Sequence, residues 1–203
     1  MPLQNRVTPA GEIIADPARG TLMGNRGILH DAQRRLGTAR WRHPHWIFCR
    51  LAFKGRRREV MAPHRYTELF FLDEPTALAA GHRPCCECRR EDFRRFQAAW
   101  RRAVGPDVSA GTIDRALHRA RVEPRSRRQI RFAAPLDDLP DGTFVLLPDV
   151  AAALLVQGDR LHPWRPGDYG PPRERRSGRA TVLTPAPTVA VLRAGYRLQP
   201  VGT

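Results

Sequence analysis

Two cysteines at Cys-x-x-Cys spacing, Cys85 and Cys88, are the residues of this 203-residue chain whose types and spacing most directly suggest chemistry. Gly81 and Pro84 precede them and favour a tight turn immediately upstream of the pair. Two thiolates at this spacing bind one metal ion when the backbone between them turns tightly, and zinc is the usual ion of such sulfur sites. The spacing therefore predicts half of a tetrahedral metal site.

The other half of the site must come from a remote part of the chain. Cys49 is the only cysteine outside residues 85–88, and it lies on a segment that predicts a β-strand. Small zinc modules often combine ligands from two such segments. As the fourth ligand we favour His82, whose neutral imidazole is a common zinc ligand. The alternatives for this position are His45, His64 and Cys86. We therefore expect a zinc ion on three cysteines and His82.

Two other interpretations of the Cys-x-x-Cys pair are open. In a thioredoxin-like redox site the pair begins a helix that directly follows a strand, whereas here a predicted helix precedes the pair. Free cysteines are also often ordinary core residues. The segment Pro84–Arg89 is short, polar and turn-like, which disfavours burial in an apolar core. Metal binding remains the favoured interpretation.

The elements around the cysteines are predicted from residue periodicity. Residues 46–53 and 56–61 predict a β-hairpin with its turn at Lys54-Gly55, and residues 66–72 predict a third strand. Asp73 is a suitable N-cap for a helix over residues 74–80, because its carboxylate can accept a backbone hydrogen bond. Large apolar residues at helical intervals predict an amphipathic helix after the pair, namely Phe93, Phe96 and Trp100.

The segment from Leu69 to Arg89 resembles the zinc-binding N-terminal domain of the Ada methyl-phosphotriester repair proteins. The residues that carry the resemblance are Phe70-Phe71-Leu72-Asp73 and Ala80-Gly81-His82-Arg83-Pro84-Cys85-x-x-Cys88-Arg89. In that family the first two ligands lie in an aromatic-Cys-Arg-x-x-x-Cys motif on an upstream strand. Phe48-Cys49-Arg50 matches the start of this motif, and Phe53 stands where the family has its second cysteine. The resemblance covers residues 46–90.

The resemblance implies zinc binding, contact with DNA and a link to DNA repair. It also implies that Cys49 corresponds to the cysteine that accepts a methyl group from a DNA phosphotriester in the family. A zinc ion with four thiolates keeps one of them nucleophilic, and replacing a thiolate by imidazole reduces that reactivity. The substitution of Phe53 for the second cysteine therefore predicts a structural rather than a reactive centre.

The charge of the chain indicates a polyanionic partner. The formal net charge is +15, from 35 basic and 20 acidic residues. Clustered cations release counterions from a phosphate backbone and gain affinity from that release. Lys54 is the only lysine, which indicates a compositional bias toward arginine but does not explain the basic excess. The predicted nucleic-acid contacts lie on the hairpin tip and the following helix: Lys54, Arg56, Arg57, Arg58, Arg89, Arg90 and Arg94. A solvated basic surface is the alternative.

The expected fold class is α+β, with a small three-stranded zinc module followed by a smaller β-rich unit. We assign residues 1–40 to an N-terminal arm, 41–104 to the zinc module, 105–130 to a helical linker and 131–203 to the β-rich unit. Three short strands bury little apolar surface, so metal binding is expected to contribute directly to the folding of the module.

Location, partners and activity follow only in part from the sequence. No segment approaches the roughly 18 apolar residues of a membrane span, and the N-terminus lacks the apolar core of a secretory signal. We therefore expect a cytoplasmic protein with no membrane partner, and the oligomeric state is open. Two alternatives to nucleic-acid binding remain. One is an enzyme, by alkyl transfer to Cys49 or by metal-assisted hydrolysis near Glu68; the other is a protein-interaction module.

Overall fold

The structure, a computed structural model, describes residues 1–55 and 59–198. Within these residues the chain is a mixed α+β protein with two six-stranded β-sheets and four α-helices. The expected α+β class is therefore confirmed. None of the described helices is long and apolar enough to cross a membrane.

The first sheet contains strands from both the N-terminal forty residues and the cysteine-bearing region. Its strands are β1 (Gln4–Val7), β2 (Ile13–Ala15), β3 (Leu22–Asn25), β4 (Ile47–Arg50), β5 (Leu69–Phe71) and β6 (Arg83–Pro84), in the order β2-β1-β5-β3-β4-β6. Residues 1–40 thus do not form a separate arm, because they supply β1, β2 and β3. These strands have only three or four residues each, too few for a clear two-residue periodicity.

The first strand of the predicted hairpin is present as β4. Residues 56–58 of its predicted second strand lie outside the described residues, and residues 59–61 are not in a strand. β4 ends at Arg50 and pairs with β3 on one side and β6 on the other, so both of its edges are already occupied. The described residues between β4 and β5 form turns and irregular structure. The third predicted strand is present as β5, which lies between β1 and β3.

Four helices accompany the two sheets in the described part of the chain. They are α1 (Glu74–Ala79), α2 (Arg90–Ala103), α3 (Ala110–Arg121) and α4 (Ala186–Arg193). The side chains of Phe48 and Phe71 point from the first sheet into a core that also contains Phe96 and Trp100 of α2. Leu117 of α3 is fully buried in the same core, so residues 105–130 are part of the domain and not a linker.

The second sheet lies in the C-terminal third. It consists of β7 (Phe132–Pro135), β8 (Phe144–Leu147), β9 (Val150–Gln157), β10 (Arg160–Pro163), β11 (Arg173–Glu174) and β12 (Arg179–Val182), in the order β11-β10-β9-β8-β12-β7. After this sheet the chain returns to the first unit, where α4 packs on α2 and places Val191 and Leu192 in its core.

Two tyrosines link the C-terminal third to the start of α1. The Tyr169 hydroxyl donates a hydrogen bond of 2.6 Å to Asp73, and the Tyr196 hydroxyl donates one of 2.5 Å to Glu74. Asp73 is also the N-cap of α1, where its Oδ1 accepts from the Thr76 amide at 2.9 Å. The bond to Tyr169 therefore joins the second sheet to α1, the bond to Tyr196 lies within the core of the first unit, and the predicted capping role of Asp73 is confirmed.

Candidate metal centre

Parallel pairing of β4 and β6 brings the remote cysteines together. Phe48 lies opposite Pro84 in the register of the two strands. The Cys85 amide then donates a hydrogen bond of 3.0 Å to the Phe48 carbonyl. As a result, the sulfur atoms of Cys49, Cys85 and Cys88 all lie within 4.8 Å of one another. Zinc–sulfur bonds of about 2.3 Å place the sulfurs of a tetrahedral site just under 4 Å apart, so this cluster can close on an ion with small side-chain movements.

The local backbone explains how two of these cysteines reach the cluster. α1 ends at Ala79, and Gly81 follows with a φ of +83°, a left-handed conformation that favours glycine. A Cβ at Gly81 would lie 2.5 Å from the side chain of Arg121. The chain then enters β6 and turns through residues 85–88 before α2 begins at Arg90. This turn directs both Cys85 and Cys88 toward Cys49.

Hydrogen bonds within the cluster favour negative charge on one sulfur, that of Cys85. Hydrogen bonds from the thiols of Cys49 and Cys88 lower the pKa of Cys85. The hydrogen bond between Cys49 and Cys85 raises the pKa of Cys49. The Glu87 amide also donates to the Cys85 sulfur at 3.4 Å. Thiols this close share their protons, and a divalent cation can replace those protons and bind all three as thiolates. The donor set therefore fits zinc.

His82, the predicted fourth ligand, does not join the cysteines. Its side chain is fully buried among core aromatic residues, with its ring 5.2 Å from that of Trp46 and 4.7 Å from that of Phe71. Its Nε2 lies 3.5 Å from the Nε of Arg26. Burial lowers the pKa of His82 well below its usual value, followed by the charges of Arg26 and Arg121. His82 is therefore a neutral core residue of this fold.

The three alternative ligands are also outside the cluster. His45 lies 2.8 Å from a carboxylate oxygen of Asp114, while the side chains of His64 and Cys86 are exposed. In the part of the chain that the structure describes, the cluster consists of these three cysteines, and no histidine, carboxylate or further cysteine joins them. A zinc ion there would have three protein ligands and one position available to another molecule.

The open side of the cluster faces a small cavity. All three cysteines line this cavity of about 300 Å³, together with the apolar side chains of Met23 and Phe70. Glu68 lines the same cavity and is buried, and its Oε2 accepts a hydrogen bond of 2.7 Å from the Met61 amide. Glu68, predicted to lie near the metal region, is in the wall of this cavity but is not part of the cysteine cluster.

The predicted nucleic-acid contacts divide into three groups. Lys54, Arg90 and Arg94 are exposed, although the Lys54 ammonium lies 3.6 Å from a carboxylate oxygen of Glu87. Arg89, in contrast, is 6% exposed and pairs with Glu74 at 3.0 Å and Asp92 at 2.7 Å, so its prediction as a surface contact is wrong. Arg56, Arg57 and Arg58 lie outside the described residues.

Arg50 is a functional candidate that sequence reasoning missed. It is exposed at the end of β4, next to Cys49, and it lines a cavity of about 460 Å³ with Cys88 and Arg90. Its position directly after Cys49 in the strand was the available signal. Glu87, Glu91 and Asp92 line the same cavity, so its acidic and basic side chains balance, and Arg50 and Arg90 are the exposed cations beside the cysteine cluster.

Comparison with known proteins does not assign the chain to a family. No protein-family model matches it, and neither a curated protein nor a solved structure matches it significantly. The site geometry and the surface charge therefore carry the functional argument.

Proposed function

We propose that this protein binds a zinc ion through Cys49, Cys85 and Cys88 and contacts nucleic acid with the exposed cations around that centre. The observation that carries the proposal is the convergence of three sulfurs from two remote segments within 4.8 Å. Packing of a hydrophobic core does not require three sulfurs to converge, whereas binding of one zinc ion by cysteines does.

Charge supports the nucleic-acid part of the proposal. Arg50, Arg90 and Arg94 are exposed near or on the helix that follows the cysteines, in a chain with a net charge of +15. Arginine forms paired hydrogen bonds with phosphate oxygens, and such contacts position a protein on a nucleic acid without reading its sequence. The resemblance to the Ada zinc domain favours DNA over RNA as the partner.

Two cysteines of the same turn provide a test variant and its matched control. Cys88 belongs to the cluster, whereas Cys86 is exposed and outside it. Purified wild-type protein and the Cys86→Ser variant should each contain one zinc ion per chain, and Cys88→Ser should lose it. Affinity for a random-sequence DNA duplex should decrease steeply with salt, because bound cations displace counterions. Metal-free wild-type protein, or duplex affinity independent of salt, would refute the corresponding half of the proposal.

A zinc-dependent enzyme is the second candidate function. The observation that favours it is the cavity shared by the three cysteines and the buried carboxylate of Glu68. A zinc ion with an open position supplies a Lewis acid, and a carboxylate in the same cavity is a suitable proton acceptor for hydrolysis. Alkyl transfer to Cys49 is the other reaction compatible with this site.

The two reactions have different signatures. After incubation with DNA that carries methyl phosphotriesters, alkyl transfer leaves one methyl group on Cys49, which peptide mass spectrometry detects. Hydrolysis leaves the protein unmodified and should be abolished in Glu68→Gln with the zinc content retained. Absence of both the adduct and the hydrolysis product would reject the enzymatic candidate and leave the binding function.

A further inference from the structure

A second candidate site lies next to the buried face of the first sheet. Side chains alternate along β4, so that Phe48 and the preceding Trp46 point to the opposite side from Cys49. Trp46 lines a cavity of about 690 Å³ whose wall also contains Trp41. Six arginines line the same cavity: Arg26, Arg40, Arg121, Arg127, Arg128 and Arg131. Glu12 is the only carboxylate among the described residues of the lining.

Two of the arginines are buried against Trp46. The guanidinium carbon of Arg121 lies 3.7 Å from the centroid of the Trp46 ring, and that of Arg26 lies 4.0 Å from it. Relative exposure is 1% for Arg121 and 2% for Arg26. Within the described residues, none of the six arginines forms an ion pair with a carboxylate. The cavity therefore has two buried positive charges without a carboxylate paired to either of them in the described chain.

The hydrogen bonds of these two guanidinium groups are incomplete. Nη1 of Arg26 donates to the Gly11 carbonyl at 2.9 Å, but its Nη2 is buried without a partner among the described residues. Arg121 donates to the carbonyls of Gly81 and Pro44, both at 2.6 Å, and its Nε is likewise buried without a described partner. A buried N–H group that lacks an acceptor is costly. Both nitrogens are closed to solvent in this conformation, so an acceptor in the cavity would reach them only after a small movement of the side chain.

The charges of Arg26 and Arg121 also favour a bound anion. Burial, followed by the nearby charge of Arg40, lowers the pKa of Arg26 to about 9. Burial also lowers the pKa of Arg121, and the charge of Arg26 adds to this effect. A guanidinium group is nevertheless charged at neutral pH, so the two groups repel each other across Trp46. A bound anion in the cavity would neutralise this charge.

The arginines, the volume and the tryptophan of the cavity together favour an anion that carries both a phosphate and an aromatic ring. Guanidinium groups match phosphate oxygens in geometry and charge. The volume of about 690 Å³ lies within the range of about 300–1,000 Å³ that is typical of small-molecule sites. Trp41 is half-buried in the wall, with its ring 6.0 Å from that of Trp46 and 5.5 Å from that of His118. An indole ring in the wall of a cavity can stack on a nucleobase.

We propose that this cavity binds a nucleotide, with the phosphate against Arg26 and Arg40 and the base on Trp41. The ligand can be a free mononucleotide or one nucleotide unit of a single strand, since the recognised chemistry is the same. This site is distinct from the cysteine centre and does not require zinc. This second proposal depends on the proposed nucleic-acid binding only if the bound nucleotide is part of single-stranded nucleic acid.

Calorimetric titration and tryptophan fluorescence test the two parts of the ligand separately. The probes are AMP, GMP, CMP and UMP, with adenosine lacking the phosphate and inorganic phosphate lacking the base. We expect saturable binding of at least one mononucleotide at one site per chain. Adenosine and inorganic phosphate should bind at least about tenfold more weakly, because each loses either the charged hydrogen bonds or the stacking.

Variants at the rim avoid the risk of unfolding that replacement of buried Arg26 carries. Arg40 is exposed, so Arg40→Glu should fold and should weaken mononucleotide binding by about tenfold or more. Trp41→Ala should weaken mononucleotide binding and leave the affinity for inorganic phosphate unchanged. Arg101→Glu is the matched control, because Arg101 is exposed on α2 and does not line the cavity. Circular dichroism and zinc content should be the same in all variants.

Competition distinguishes the two sources. If a single-stranded oligonucleotide displaces the mononucleotide and its binding is weakened in Trp41→Ala, the source is a strand; if it does not compete, the ligand is a free nucleotide. The proposal is overturned if no mononucleotide or single strand binds saturably, or if Arg40→Glu and Trp41→Ala bind as the wild type does. Duplex binding that is weakened in Arg90→Gln but unchanged in Trp41→Ala would support the nucleic-acid contact beside the cysteines independently.

Discussion

The hydrogen bond from the Cys85 amide to the Phe48 carbonyl, 3.0 Å long, fixes β6 beside β4 immediately before the two segments deliver their cysteines. This bond sets the register of the strands, and the register sets which sulfurs meet. Cys49 is the residue after Phe48, so it faces Cys85 and Cys88. The strand pairing of the first sheet thereby brings together the three cysteines of the candidate metal centre.

Metal removal should weaken the first unit without unfolding the whole protein. Three short strands alone would bury little apolar surface, but Phe48, Phe71, Phe96 and Trp100 belong to one buried core that α4 extends. A chelator should therefore lower the unfolding temperature by several degrees and leave the far-ultraviolet circular dichroism at about 25 °C unchanged. Loss of helical signal at that temperature on chelation would show that the core cannot persist alone.

Arg89 and Arg90 should separate stability from nucleic-acid binding. Arg89 is buried between Glu74 and Asp92, so Arg89→Gln should lower the free energy of unfolding by about 3–5 kcal/mol, the cost of removing one member of a buried ion pair. Arg90→Gln replaces an exposed side chain and should change stability by less than about 0.5 kcal/mol.

Duplex titrations at several salt concentrations complete this comparison. Arg90→Gln should reduce the slope of log affinity against log salt by about one, as expected for the loss of one phosphate contact. Folded Arg89→Gln should retain the wild-type slope. The reverse result, an unchanged slope in Arg90→Gln with a reduced slope in Arg89→Gln, would contradict the assignment of these two arginines.

His82 should control acid stability and not zinc binding. Its pKa in the folded protein lies below the value of about 6.5 in the unfolded chain. The unfolded state therefore binds more protons below about pH 6.5, and stability should decrease as the pH falls from there toward the folded pKa. His82→Gln should reduce this pH dependence while retaining one zinc ion per chain. Urea unfolding between about pH 5 and pH 8 measures the first effect, and zinc loss in this variant would restore His82 as a ligand.

Tyr196 should stabilise the protein at neutral pH and destabilise it at alkaline pH. Burial, followed by the charge of Glu74, raises the pKa of its hydroxyl. A group whose folded pKa is raised contributes stability below its unfolded pKa of about 10 and loses that contribution as the pH rises above it. Tyr196→Phe should therefore lower stability at neutral pH by about 1–3 kcal/mol, since Glu74 loses a buried donor. The variant should also show a shallower loss of stability between about pH 9 and pH 11.

If Tyr196→Phe loses stability between about pH 9 and pH 11 as steeply as the wild type does, the alkaline loss of stability comes from another group. Tyr169→Phe is the matched variant, because its hydroxyl donates to Asp73 in an equivalent position and its pKa is also raised by burial. The two substitutions together should remove more of the slope than either one alone.

Local patterns predicted those elements that depend on nearby residues. The capping of α1 by Asp73 and the amphipathic helix with Phe96 and Trp100 follow from short-range spacing, and both are present. β1 and β3 have few residues and are stabilised by pairing with β5, whose residues lie more than forty positions away in the chain. No local signal encodes such pairing.

The site shows the same division. The three cysteines could be predicted because their residue type and spacing are specific to metal binding. The wrong assignments of His82 and Arg89 have one cause, since sequence distance from Cys85 does not reveal on which side of β6 or α2 a side chain lies. The arginine-lined cavity requires Arg26 and Arg121 to meet at Trp46, and this contact exists only in the folded chain.

Zinc K-edge X-ray absorption of the purified protein tests the central claim most directly, because it counts the sulfur atoms bound to the metal. The structure predicts three sulfurs at about 2.3 Å and one lighter atom from a molecule in the open position. The Cys86→Ser variant should give the same spectrum. Fewer than three sulfurs in the wild-type shell, or a shell that loses a sulfur in Cys86→Ser, would contradict the metal centre described here.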